Sequence, residues 1–143
     1  MNYNSYDGLI EIGEISTTRR VYKIVNNKIP NKLKNIDDKN NVVIKVAQSE
    51  KCYDTNRLEF NVWRKTKNDN LFCPISKLLN KGEIIVMNKA KTDNITDHHV
   101  EKVFNDYRSQ YELNIRTDIK KKNIGLIGSN NKPVLIDYPF VPV

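Results

Sequence analysis

Apolar positions along the chain fall into short alternating or β-branched clusters separated by polar stretches. Leu9-Ile10-Glu11-Ile12 and Arg20-Val21-Tyr22-Lys23-Ile24-Val25 read as two strands joined by a polar turn from Gly13 to Thr18. The stretch from Asn26 to Asn41 is rich in Asn, Lys and Asp, contains Pro30, and reads as a solvated loop. Asn41-Val42-Val43-Ile44-Lys45-Val46-Ala47 is a β-branched run that predicts a strand. A helix is predicted from near Asn56, with Leu58, Val62 and Lys65 on one face and Phe60 and Trp63 beside it. Asn56 and Glu59 stand at the spacing of a capping box.

Leu71-Phe72-Cys73-Pro74-Ile75 follows, and Pro74 makes it an edge or bulged strand. Gly82-Glu83-Ile84-Ile85-Val86-Met87 reads as a buried strand. After a polar break at Lys91 to Asn94, a second helix capped by Thr96 or Asp97 aligns Val100, Val103, Phe104, Tyr107 and Tyr111 on one face. Trp63 and Tyr107 are expected in the core. Ile124-Gly125-Leu126-Ile127 and Val134-Leu135-Ile136-Asp137, joined through Gly128 to Pro133, predict a closing hairpin. This order is α+β, and no repeat or linker divides the 143 residues, so one domain is expected.

Composition narrows the partners. Lys and Arg total 24 against 17 Asp and Glu, a net charge of +7 that favours anions such as nucleotides, phosphates, nucleic acid or acidic lipid. No apolar run approaches the ~20 residues of a membrane span, and the N-terminus lacks a signal peptide's basic and apolar regions, so a cytoplasmic protein is expected. Cys52 and Cys73 form no CxxC pair. With only His98 and His99 beside them, they predict reduced thiols rather than a zinc site. The lysines from Lys23 to Lys39 allow nucleic-acid binding, but no aromatic-interleaved or zinc motif accompanies them, so nucleic acid is set aside.

The chemistry-bearing residues gather near the C-terminal hairpin. Asp118 and Asn123 flank Lys120, and Asp137 closes an apolar strand. Carboxylate and amide oxygens are hard ligands suited to Mg²⁺, and a lysine neutralises phosphate charge. Taken alone, each has a plainer reading. Lys45 fits an exposed strand lysine, Glu59 a helix cap, Asp118 and Asn123 turn-stabilising side chains, and Lys120-Lys121-Lys122 a solvated run.

In order and interval these segments resemble the protein kinases. Arg116-Thr117-Asp118-Ile119-Lys120-Lys121-Lys122-Asn123 resembles their catalytic loop and Asp137-Tyr138-Pro139 their D-F-G. Val43-Ile44-Lys45 resembles the third-strand V-A-I-K, and Glu59 sits where the partner of that lysine would sit. Ile85-Val86-Met87-Asn88-Lys89-Ala90 resembles the fifth strand and hinge, and Gly13 opens a degenerate Gly-rich hairpin. The resemblance implies a five-stranded antiparallel sheet with one helix as an N-lobe over residues 1–90. Residues 91–143 would form a truncated C-lobe of one helix and a catalytic-loop hairpin. Small kinase-like proteins of this kind look most like those of viruses and phages, which would place it in the host cytoplasm.

The resemblance also implies roles. Lys45 would hold the α/β-phosphates of ATP and be positioned by Glu59, with Gly13 in the phosphate loop. Met87 would be the gatekeeper, with Asn88 and Ala90 facing the adenine. Asp118 would accept the proton of an attacking hydroxyl, Lys120 would meet the γ-phosphate, and Asn123 and Asp137 would hold Mg²⁺. ATP and Mg²⁺ are therefore the expected cofactors. The pattern also departs from the family. Ile15 and Thr18 stand where glycines would be, Arg116 and Thr117 replace His-Arg, Pro139 replaces the D-F-G glycine, and no activation segment follows before Val143. These departures predict, as the alternative, a pseudokinase that binds a host or viral protein. A truncated lower lobe could also self-associate into a homo-oligomer.

Overall fold

A computed structural model describes residues 3–13, 16–67, 69–111 and 119–141. They contain strands β1 (Leu9–Ile12), β2 (Arg19–Ile24), β3 (Val42–Ala47), β4 (Ile75–Leu79), β5 (Ile84–Asn88), β6 (Ile124–Ile127) and β7 (Lys132–Leu135). Helices α1 (Tyr53–Thr66) and α2 (Asp97–Tyr111) complete an α+β chain. It divides into two units, Met1–Phe60 with Ile75–Lys89, and Asn61–Pro74 with Ala90–Val143. No helix among the described residues is long and apolar enough to cross a membrane.

The first unit is built on the expected five-stranded antiparallel sheet, in the order β1-β2-β3-β5-β4. Its register sorts the side chains. Tyr22, Ile44 and Val86 are in line across β2, β3 and β5. With Leu9, Ile24, Val42, Val46 and Ile84 they form an apolar core on one face. The stretch from Asn26 to Asn41 is not the solvated loop its composition suggests. Its three apolar side chains Ile29, Leu33 and Ile36 are buried in that same core, beside Tyr3, while the intervening polar residues mostly point outward. Burial of three anchors outweighs the polarity of a segment that contributes no strand.

The opposite face carries Val21, Lys45 and Ile85 in register, with Arg19 opposite Ala47 one step along the ladder. Helix α1 presents Asn56 and Glu59 to this face. It begins at Tyr53, one turn earlier than the capping signal places it, so Asn56 and Glu59 are helix-interior residues and not a cap. Both are 0% exposed, whereas Leu58, set on one face with Val62 by periodicity, is 55% exposed. The stripe that is buried runs Asn56, Glu59, Val62 and Thr66. It is mostly polar, which is why apolar periodicity does not reveal it. Gly82 lets the turn before β5 lie against the helix. At φ +112° it adopts a conformation that side-chain-bearing residues avoid, and a Cβ there would stand 2.9 Å from the Tyr53 carbonyl oxygen.

In the second unit, Thr96 caps α2 reciprocally with His99. The His99 N–H donates to Thr96 Oγ1 at 3.3 Å and the Thr96 N–H donates to His99 Nδ1 at 3.0 Å. Val103, Phe104 and Tyr107 are buried on the expected face. β6 and β7 pair as the expected hairpin, with Ile124 opposite Leu135. Leu71–Cys73 joins that hairpin rather than leading β4. Phe72 bridges Leu135 in parallel, the Cys73 N–H donates to the Leu135 carbonyl at 2.8 Å, and the Tyr138 hydroxyl donates to the Cys73 carbonyl at 2.6 Å. Only from Ile75 does the chain enter the sheet. It does so as an edge strand with a register shift between Ile75 and Lys77, in keeping with the Pro74 signal. Both cysteines are free thiols.

Candidate functional site

Strand β3 carries Lys45 toward α1 because its neighbours Ile44 and Val46 are claimed by the apolar core on the other face, and strand side chains alternate. Helix α1, 14 residues and so about four turns long, follows that strand, and Glu59 lies on its inner stripe. The Lys45 ammonium donates to Glu59 Oε1 at 2.7 Å, with the lysine side chain 6% exposed and the carboxylate 0%. The sequence alternative of an exposed strand lysine does not hold.

A second cation shares the carboxylate. Arg19 Nη1 donates to Glu59 Oε1 at 2.8 Å, and Nη2 lies 3.5 Å from Oε2. Arg19 stands opposite Ala47, two residues from Lys45, so the ladder places the two cations as diagonal neighbours on one face. Asn56 ties the cluster to the backbone. Its Oδ1 accepts from Arg19 Nη1 at 3.2 Å, and its Nδ2 donates to the carbonyls of Gly82 at 2.8 Å, Glu83 at 3.1 Å and Lys45 at 3.3 Å. Burial alone pushes the Glu59 carboxyl up. The charges of Arg19 and Lys45, with the hydrogen bonds both donate, outweigh burial and bring it from 4.5 down to about 2. Glu59 is therefore ionised at neutral pH, a buried carboxylate paired with two buried cations.

A neighbouring cluster anchors the other side of the same turn. Glu83, fully buried, accepts from Lys32 Nζ and from Asn80 Nδ2, each at 2.8 Å. The Lys32 ammonium is pulled down by burial but held up more strongly by its bonds to Glu83 and Tyr3, reaching about 12.

The remaining sequence-derived residues are placed as follows. Gly13, at φ +74°, makes the bend directly after β1. Met87 is buried inside β5 opposite Val43 and Ile75, and Asn88 ends that strand, exposed, opposite Val42. Ala90 belongs to the second unit, where it sits against Gly125; a Cβ on that glycine would fall 2.5 Å from the Ala90 Cβ. Lys120 is exposed, and its carbonyl accepts the Asn123 N–H at 2.9 Å in the turn that opens β6. The Ile136 N–H donates to the Asn123 carbonyl at 2.9 Å, so the hairpin brings Asn123 alongside the residue preceding Asp137. Both are half-buried. Amide and carboxylate oxygens are ligand types that Mg²⁺ takes alongside water and phosphate. No group of three or more His, Cys, Asp or Glu that could hold a metal occurs among the described residues. Asp118, with Arg116 and Thr117, lies outside the described residues, as do Glu14 and Ile15.

Sequence reasoning missed Arg19 and the role of Asn56. A signal for Arg19 exists in strand parity: it falls on the same face as Val21, opposite to Tyr22 and Ile24. Asn56 stands one helical turn before Glu59 and so shares its face. No protein-family model and no curated protein matches the chain.

Proposed function

We propose that this chain is a kinase-like phosphotransferase that uses ATP and Mg²⁺. The observation that supports this reading is the buried Lys45–Glu59 pair, set between the third strand of a five-stranded antiparallel sheet and the helix that follows it. A lysine held at 2.7 Å by a carboxylate ionised at neutral pH is a fixed positive charge, as the α/β-phosphates of a nucleotide require. Phosphoryl transfer rests on positioning and charge neutralisation more than on covalent help, so a small set of such groups suffices.

In this reading Lys45 binds the α/β-phosphates and Glu59 orients it. Asp118 accepts the proton of the attacking hydroxyl, and Lys120 meets the γ-phosphate. Asn123 and Asp137 hold Mg²⁺, which when bound supplies charge neutralisation to the phosphates. Gly13 lies in the phosphate loop, and the backbone from Asn88 to Ala90 faces the adenine beside Met87. The cytoplasm, where ATP is abundant, is the compartment this reading implies.

Melting curves with and without ATP and Mg²⁺, together with an ATP turnover assay, test it. Mg²⁺-dependent stabilisation by ATP should be present in the wild type and lost in Asp137→Ala and Lys45→Met, and turnover should vanish in Asp118→Ala. Stabilisation without turnover would favour the alternative, a pseudokinase serving as a protein-binding module. Turnover unchanged in Asp118→Ala would remove that residue as the base, and absence of any ATP effect on the wild type would end the nucleotide reading.

A further inference from the structure

Two cations on one carboxylate oxygen raise the question of what the second one does. Arg19 and Lys45 lie 2.8 and 2.7 Å from the same Glu59 Oε1, and Arg19 is 6% exposed. The guanidinium fork places a second positive charge on the carboxylate oxygen that Lys45 uses, and that charge holds the carboxylate beside the lysine. Asn56 fixes the fork in turn, accepting from Nη1 at 3.2 Å while its own amide is held by three carbonyls.

The backbone of Arg19 is equally constrained. Its N–H donates to the Ser16 hydroxyl at 2.9 Å, and the same hydroxyl donates to the Arg19 carbonyl at 2.9 Å. Thus the residue that closes the turn between β1 and β2 also grips the carboxylate that seats the lysine. We propose that Arg19 is a positioning residue for Lys45, acting through Glu59, and that it couples the β1–β2 turn to the placement of the Lys45 ammonium. This rests on the reading of Lys45 as the phosphate-binding lysine.

The test uses the full chain with ¹⁵N-labelled lysine. Hydrogen exchange at the Lys45 ammonium is followed by NMR, and ATP·Mg²⁺ affinity is titrated in parallel. The variants are Arg19→Lys, Arg19→Gln, Glu59→Gln and the Arg19→Gln/Glu59→Gln double variant. Exchange at the Lys45 ammonium should be slow in the wild type and in Arg19→Lys, and roughly tenfold faster in Arg19→Gln. ATP·Mg²⁺ affinity should fall about tenfold in Arg19→Gln, return in Arg19→Lys, and fall no further when Arg19→Gln is added to Glu59→Gln.

Unchanged Lys45 exchange in a folded Arg19→Gln would overturn the proposal whatever the nucleotide does. Additive losses in the double variant would also overturn it, making Arg19 a direct ligand. If Arg19→Gln does not fold, Arg19→Lys decides: retained slow exchange supports the proposal and fast exchange in a folded chain overturns it. A wild type that binds no nucleotide overturns the phosphotransferase reading alone, because the exchange measurement still judges Arg19.

Discussion

Lys45 and Glu59, fourteen residues apart in sequence, meet at 2.7 Å with both side chains buried. A chain folding around such a contact commits strand β3 and helix α1 to one another. The two partners are not equivalent, because Glu59 also carries Arg19 at 2.8 Å. Removing the carboxylate separates two buried cations from it, whereas removing the lysine leaves Glu59 on Arg19.

Glu59→Gln is therefore expected to cost about 3 to 5 kcal/mol, the range found when one partner of a buried ion pair is removed. Lys45→Met, which keeps the volume of the stem, is expected to cost about 1 to 2 kcal/mol. Urea denaturation at neutral pH measures both. Equal losses would mean that Arg19 does not sustain the carboxylate.

The same carboxylate sets an acid dependence. Glu59 titrates at 4.5 in an ordinary setting and at about 2 in the fold, so between those values the unfolded chain binds more protons. Stability from this group is complete above about pH 5 and drains away as pH falls toward the folded value, a contribution on the order of 3 kcal/mol. Urea midpoints at successive pH values should fall more steeply on acidification in the wild type than in Glu59→Gln. Parallel curves would contradict the depressed titration of Glu59.

Much of this architecture is legible in the sequence because apolar runs announce strands. Val42 to Ala47 and Ile84 to Val86 alternate or cluster as buried strands must, and Val103, Phe104 and Tyr107 show the helical interval of α2. Of the buried cluster around Glu59, the sequence singles out only Lys45 and Glu59, and it does so through the resemblance to the protein kinases. Arg19 and Asn56 are polar residues on buried faces, and the patterns that mark a core reward apolar side chains alone. Ile29, Leu33 and Ile36 were hidden for the converse reason: three anchors among Asn and Lys look like a loop, although each is buried.

Packing in the second unit offers a tight steric test. A Cβ on Gly125 would lie 2.5 Å from the Ala90 Cβ and 3.0 Å from Ile136 Cγ2, and a methyl joined directly to the backbone cannot swing away. Gly125→Ala is expected to destabilise by about 1 to 3 kcal/mol, the usual penalty of overpacking. Ala90→Gly in the same chain should restore roughly half of that loss, since it removes the nearer of the two clashing atoms. Thermal melting of the single and double variants checks both statements. A double variant no better than Gly125→Ala would place the strain elsewhere.

Helix α1 offers a comparison in which periodicity and structure give opposite orders. Periodicity puts Leu58 on one face with Val62 and the capping pattern puts Asn56 at the helix start, so on the sequence alone Leu58→Ala would be the more damaging change. The structure reverses this. Leu58 is 55% exposed, and its truncation is expected to shift stability by less than about 0.5 kcal/mol. Asn56 is fully buried, and its amide satisfies the Gly82, Glu83 and Lys45 carbonyls while its oxygen receives Arg19. Alanine there leaves buried acceptors and a buried guanidinium with bonds unmade, at an expected cost of about 2 to 3 kcal/mol. Urea unfolding of the two variants at neutral pH settles the order. If Leu58→Ala proved the costlier, α1 would have to turn a different face to the sheet, and the contacts of Glu59 with Lys45 and Arg19 would fall with it.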